Sequence, residues 1–156
     1  MPTLVFARHA HASHEPGPDY DRPLTQEGRD EARRAGEFLA DLPIDCAIAS
    51  SARRTAETAQ LIIEQLNAEP QLRLDDALYQ AQVLDWREAV ATIPPDAQAA
   101  IIVGHNPTVA DAVAEFSGRP VEKFRPSSIA VFEFDNWDDA AGILPQPQIR
   151  DFVQRA

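Results

Sequence analysis

The sequence holds a single cysteine, Cys46, in 156 residues. One thiol makes no internal disulfide, and no zinc-binding spacing surrounds it, so neither a cross-link nor a structural metal is expected to hold the fold. The same scarcity fits a reducing compartment, and the chain is expected to be cytoplasmic. Long apolar runs are missing too. The chain passes directly from Thr3-Leu4-Val5-Phe6 to Arg8-His9, so neither a signal peptide nor a membrane span is expected. Positive charge is scarce: 14 Lys and Arg against 25 Asp and Glu leave a formal net charge of −11. A field of that sign opposes nucleic acid and anionic membranes, and it opposes phosphorylated substrates as well. Phosphate chemistry here therefore needs arginines gathered in one pocket. No repeat, low-complexity tract or linker interrupts the sequence, so residues 1–156 are expected to form one domain.

Apolar residues make up 44% of the chain, enough for a core without staples. Thr3 to Phe6 is a short apolar run that ends abruptly in Arg8-His9, as a buried strand running into a loop does. Residues 10–24 form a long irregular stretch rich in His, Pro, Gly and Asp, and such loops tend to be functional. Thr25 is the N-cap of a helix over about Gln26 to Ala40, with Ala32, Ala35, Phe38, Leu39 and Leu42 as its buried stripe. Cys46 to Ala49 reads as a second strand. Ser50 or Ser51 then caps a helix to about Leu66, with Ala59, Ile62, Ile63 and Leu66 on one face. Leu72 to Leu74 predicts a short strand and Val83 to Ile93 a helix. Ala99 to Val103 is a buried strand, followed by a helix with Asn106 as N-cap and Pro107 in its first turn. Ile129 to Phe134 and Ile149 to Val153 are the last expected strands. The alternation predicts an α/β sandwich on a mostly parallel sheet.

In such sheets ligands bind outside the carboxyl ends of the strands. The first strand ends at Arg8-His9, the second leads into Arg53 and Arg54, and the fourth ends at Gly104-His105-Asn106. Each fragment alone also fits a solvated loop or helix surface. Their corresponding positions in the topology predict two histidines and at least one arginine at a single rim. Helix N-termini at that rim add backbone N–H groups for an anion.

These segments resemble a known family. Leu4-Val5-Phe6-Ala7-Arg8-His9 resembles the signature that opens the histidine phosphatase (phosphoglycerate mutase-like) superfamily. Ser50-Ser51-Ala52-Arg53-Arg54-Thr55-Ala56-Glu57-Thr58 resembles its second motif and selects Arg54 over Arg53. Val103-Gly104-His105-Asn106-Pro107 resembles the third motif. Asp21-Arg22-Pro23-Leu24-Thr25-Gln26-Glu27-Gly28 resembles an element of the short SixA-type phosphohistidine phosphatases. Two positions depart from the pattern: Ala10 stands for the usual glycine and Thr55 for the usual alanine, small residues expected to keep the pocket open. The insertion that gives the mutases their specificity is not found.

The resemblance implies a three-layer α/β/α sandwich and a metal-independent phosphatase with no cofactor. His9 is its implied nucleophile, Arg8 and Arg54 hold the transferring group, and His105 is a further donor. Arg22, Ser50 and Asn106 are the expected substrate contacts. The leaving group's acid is open among Asp76, Asp21 and Asp19, and a phosphoramidate needs none if its leaving nitrogen is already protonated. The spacing of His9, His11 and His14 also permits a metal site, the alternative to a nucleophilic His9. Three functions are compatible with this pattern. The chain dephosphorylates phosphohistidine on a protein such as a histidine-containing phosphotransfer domain, or it hydrolyses a small phosphoester, or it binds phosphate without catalysis.

Overall fold

Every short apolar run becomes a strand, and every amphipathic stripe covers one face of the sheet that those strands build. The computed structural model describes residues 1–141 and the backbone of residues 151–155. The strands are β1 (Thr3–Arg8), β2 (Ile44–Ser50), β3 (Leu72–Asp75), β4 (Ala99–Gly104), β5 (Ile129–Glu133) and β6 (Asp151–Arg155). The helices are α1 (Gln26–Leu39), α2 (Arg53–Gln65), α3 (Val83–Ala91), α4 (Thr108–Ser117) and α5 (Trp137–Ala141). Strand order is β3-β2-β4-β1-β5-β6. Pairing is parallel among β1 to β4, while β5 and β6 add an antiparallel edge.

Side chains alternate across a strand, so a buried sheet needs apolar residues on both faces. Leu4, Phe6, Ile48, Ala100 and Ile102 face one layer, against Trp86 and Val90 of α3, Val113 and Phe116 of α4 and Trp137 of α5. Val5, Ala7, Ala47, Ala49, Ile101 and Val103 face the other, against Leu39 of α1 and Ala59 and Ile62 of α2. The three-layer sandwich on a mostly parallel sheet is therefore the observed architecture. Burying each large apolar side chain contributes about 1.5–3 kcal/mol, so both layers are needed.

Local differences from expectation have local causes. Thr25 caps α1 as expected, accepting a hydrogen bond from the Gly28 N–H. Phe38 is exposed on α1, and Gly36 takes its place on the buried face, where α1 lies against Ile62 and Gln65 of α2. Neither Ser50 nor Ser51 caps α2, which starts after Ala52. Asn106 does not cap α4, whose N-cap is Pro107; its amide instead donates to the Phe124 carbonyl at 2.8 Å. Helix α5 was not expected from the periodicity, and β6 begins at Asp151, with Ile149 outside the described residues. Gly104, the last residue of β4, lies against the fully buried Trp86 ring, where a Cβ would collide.

Candidate active site

Register places the site. Arg8 pairs with Gly104 across the parallel β1–β4 ladder, and the His9 N–H donates to the Gly104 carbonyl at 3.0 Å. The two residues that follow these strand ends, His9 and His105, are thus set side by side, with ring centroids 5.5 Å apart. On the other side of β4, Ala49 of β2 pairs with Val103. That brings Ser50 Oγ to 2.8 Å from His105 Nε2.

His9 is only 8% exposed. Its Nδ1 lies 2.7 Å from the Ala10 carbonyl oxygen. A carbonyl can only accept, so Nδ1 carries the hydrogen and Nε2 keeps its lone pair. Burial pushes the imidazole down to about 3, and the charges of His105, Arg54 and Arg8 act in the same direction against the Ala10 hydrogen bond. Burial, then Arg54, also pushes His105 down, to about 4. Both rings are neutral in ordinary buffers.

This has a measurable consequence. An unfolded histidine, with its pKa near 6.5, takes up a proton as pH falls, while folded His9 stays neutral until about 3. The unfolded chain thus binds more protons in that window, and stability falls as pH falls. From His9 alone, urea unfolding at about pH 5 should show about 2 kcal/mol less stability than at about pH 8. His9→Asn should flatten that slope, and an unchanged slope would contradict the buried neutral ring.

Arg8 and Arg54 supply the cationic wall. Arg8 Nη1 donates to the Phe124 carbonyl at 3.1 Å, and its guanidinium is pushed below the usual value by burial and by Arg54. Arg54, 7% exposed at the start of α2, donates through Nη1 to the Asp19 carbonyl at 2.8 Å and through Nη2 to Asp19 Oδ2 at 3.1 Å. Arg8 Nε, Arg54 Nε and His105 Nδ1 are buried and have no partner among the described residues. Buried polar atoms are nearly always paired, so three such nitrogens around one imidazole mark unused capacity for an anion. Thr58, one turn beyond Arg54, fixes the frame: its hydroxyl donates to the Arg54 carbonyl and accepts from the Ala10 N–H. Thr58 belongs to the motif that selects Arg54 over Arg53, and its spacing from Arg54 puts both on one helix face.

Asp19 is the busiest acceptor of the site. Oδ2 takes the Tyr79 hydroxyl at 2.7 Å as well as Arg54, and Oδ1 takes Arg22 Nη1 at 3.1 Å. These donors, Tyr79 foremost, hold its carboxyl well below the usual carboxylate range. Asp19 is therefore an ionised acceptor in this state and carries no proton to give. That bond also pushes the Tyr79 hydroxyl up.

The other residues expected at the site meet partners within the chain. Ser50 is fully buried, and its hydroxyl meets the His105 ring. Asn106 ties down the Phe124 loop that Arg8 also grips. Arg22 Nε donates to the Ser13 carbonyl at 2.7 Å, and the guanidinium supports Asp19. Asp21 and Asp76 are exposed on separate single 3-10 turns, outside the Asp19 network. Ala10 and Thr55, the two departures from the motif, are both buried. Ala10 is buried with Leu24 and Ala32, and the Thr55 hydroxyl donates to the Ser50 and Ala52 carbonyls.

The His9, His11 and His14 spacing does not become a ligand set. His11 turns to Glu31, and His14 lies 3.4 Å from Arg22 Nη2. Among the described residues, the group close enough to share an ion is His11, Glu27 and Glu31, which includes neither His9 nor His14. No helix among the described residues is long and apolar enough to cross a membrane.

Residues 4–100, which include Arg8, His9 and Arg54, match the family model of the histidine phosphatase superfamily (branch 1). The chain belongs to the histidine phosphatase superfamily. The chain is 32% identical over 146 residues to an uncharacterised protein of Mycobacterium tuberculosis, covering 85% of this chain and 90% of that one. It is 40% identical over 75 residues to the 2,3-bisphosphoglycerate-dependent phosphoglycerate mutase of Rhizobium etli. That match takes in 44% of this chain and 36% of the mutase, so it spans little more than a third of the mutase's length. In three dimensions it resembles the putative phosphohistidine phosphatase SixA of Nakamurella multipartitia. Identity there is 28% and the TM-score 0.80, over 97% of this chain and 95% of that one.

Proposed function

We propose that this histidine phosphatase works through a phosphohistidine on His9, needs no metal, and takes phosphohistidine borne on a protein as its substrate. The observation that carries the reading is the His9 ring, buried and neutral with Nδ1–H on the Ala10 carbonyl, so that the Nε2 lone pair is free to attack phosphorus. Arg8 and Arg54 bind the equatorial oxygens, where charge is spread in phosphoryl transfer, and His105 adds a further polar contact. Water then hydrolyses the phosphoenzyme. Arginines supply the charge that a cation supplies elsewhere, which supports metal independence.

The substrate class rests on the likeness to the putative SixA over nearly all of both chains, against a match to little more than a third of the mutase. A histidine-containing phosphotransfer domain presents such a phosphoryl group on an exposed ring. The test compares a phosphohistidine protein with a panel of small phosphoesters in the presence of EDTA. Undiminished turnover in EDTA and a higher kcat/KM on the phosphoprotein are expected. Loss of activity in EDTA overturns metal independence. Faster turnover of a small ester moves the substrate to that class, and hydrolysis of nothing leaves a binding role.

A further inference from the structure

Four rings form a continuous line from the candidate nucleophile to the surface. His9 meets His105 at 5.5 Å between centroids, His105 meets Tyr79 at 5.6 Å, and Tyr79 meets Tyr20 at 5.2 Å. Exposure rises along it, from 8% at His9 to 40% at Tyr20. Asp19 lies beside the outer half of this line, bonded to the Tyr79 hydroxyl. A solvent-facing aromatic edge next to a carboxylate suits one kind of ligand: a flat, cationic, N–H-bearing ring.

We propose that Tyr20, Tyr79 and Asp19 form the seat of the leaving ring and hold it, while it still carries the phosphoryl group, in its cationic form with the distal nitrogen protonated. This rests on the proposed reaction and assigns recognition of its leaving group. A carboxylate offers about four lone-pair sites. Arg22, Arg54 and Tyr79 take three. The side chain remains 52% exposed, so the fourth accepts the distal N–H of the substrate ring. The aromatic edges of Tyr20 and Tyr79 enclose the ring's faces.

The step balances. The phosphoimidazole arrives with its distal nitrogen protonated. The His9 Nε2 lone pair forms the new P–N bond, and the substrate P–N bond breaks with its electron pair going to the departing nitrogen. The ring leaves as neutral imidazole, keeping the hydrogen it already carried. The phosphorylated His9 ring keeps Nδ1–H on the Ala10 carbonyl, the mirror image of the substrate ring on Asp19. Water attack then returns the electron pair to Nε2 and releases dihydrogen phosphate. Asp19 acts throughout as an ionised acceptor, in keeping with its network, and Arg22 is a positioning residue that aims it.

The test measures kcat/KM on phosphoimidazole, p-nitrophenyl phosphate and glycerol phosphate for wild type, Asp19→Asn, Tyr79→Phe and Tyr20→Leu. Loss of a hydrogen bond to a charged group corresponds to about ten- to a hundredfold. Asp19→Asn should therefore lower phosphoimidazole turnover by about that factor relative to both esters. Tyr20→Leu, at an exposed position that leaves the fold alone, should raise KM for phosphoimidazole only. Equal losses on all three substrates overturn the proposal and reduce Asp19 to a brace for Arg54. A loss greatest on glycerol phosphate, the poorest leaving group, also overturns it and makes Asp19 a proton donor. Failure of the phosphoenzyme reading shows separately, as wild type that forms no phosphohistidine with any of the three.

Discussion

Alanine at His9 should lower kcat/KM by on the order of 10⁴-fold or more on every substrate, because the step that splits hydrolysis in two disappears with the imidazole. The arginines and His105 remain in the variant, so residual activity measures what positioning and charge supply without a nucleophile. The ring is buried, and its loss leaves a polar hole against the Ala10 carbonyl, so folding must be checked beside activity. His9→Asn, which keeps a side-chain N–H for that carbonyl, serves as the second variant. The decisive readout is a covalent label: wild type given radiolabelled substrate and quenched in base should hold phosphate in an acid-labile bond, and both variants should not. Labelling of a folded His9→Ala protein would move the nucleophile to another residue.

Arg54→Lys should cost about 10²–10³ in kcat/KM while Arg53→Ala costs almost nothing. The two arginines are adjacent in sequence and opposite in surroundings. Arg53 is exposed and pairs with Glu57 one turn along α2. Arg54 is buried, grips the Asp19 carbonyl and carboxylate with two nitrogens, and keeps its Nε unpartnered. A lysine preserves the charge but concentrates its donors at one point, so it cannot hold Asp19 and a phosphoryl oxygen together. Steady-state kinetics on a phosphoester measures both variants. Arg54→Lys within about threefold of wild type would mean that charge alone suffices and that the fork geometry is irrelevant.

The tie between these predictions is visible in Asp19. Its position on the long loop made it one of three carboxylates open to an acid role, and nothing local distinguished it from Asp21 or Asp76. The difference lies in contacts 35 and 60 residues away, to Arg54 and Tyr79. Those contacts turn a candidate proton donor into a firmly ionised acceptor. Ser50 finds its partner for a similar reason: the β2–β4 register, which no run of residues encodes, brings it against His105.

The strands, most helices and the rim that carries Arg8, His9, Arg54 and His105 were legible in the sequence. Apolar runs that end abruptly in polar residues announce strand ends, and parallel α/β sheets gather such ends on one side. Thr25 as a cap was legible too, because capping is decided within four residues. Which nitrogen of His9 is free, which way Arg54 faces, what Asp19 does and that Tyr20 and Tyr79 flank the site were decided only by tertiary structure. Protonation and hydrogen-bond direction depend on burial and on partners brought together across the sheet, and a linear pattern of residue types carries neither.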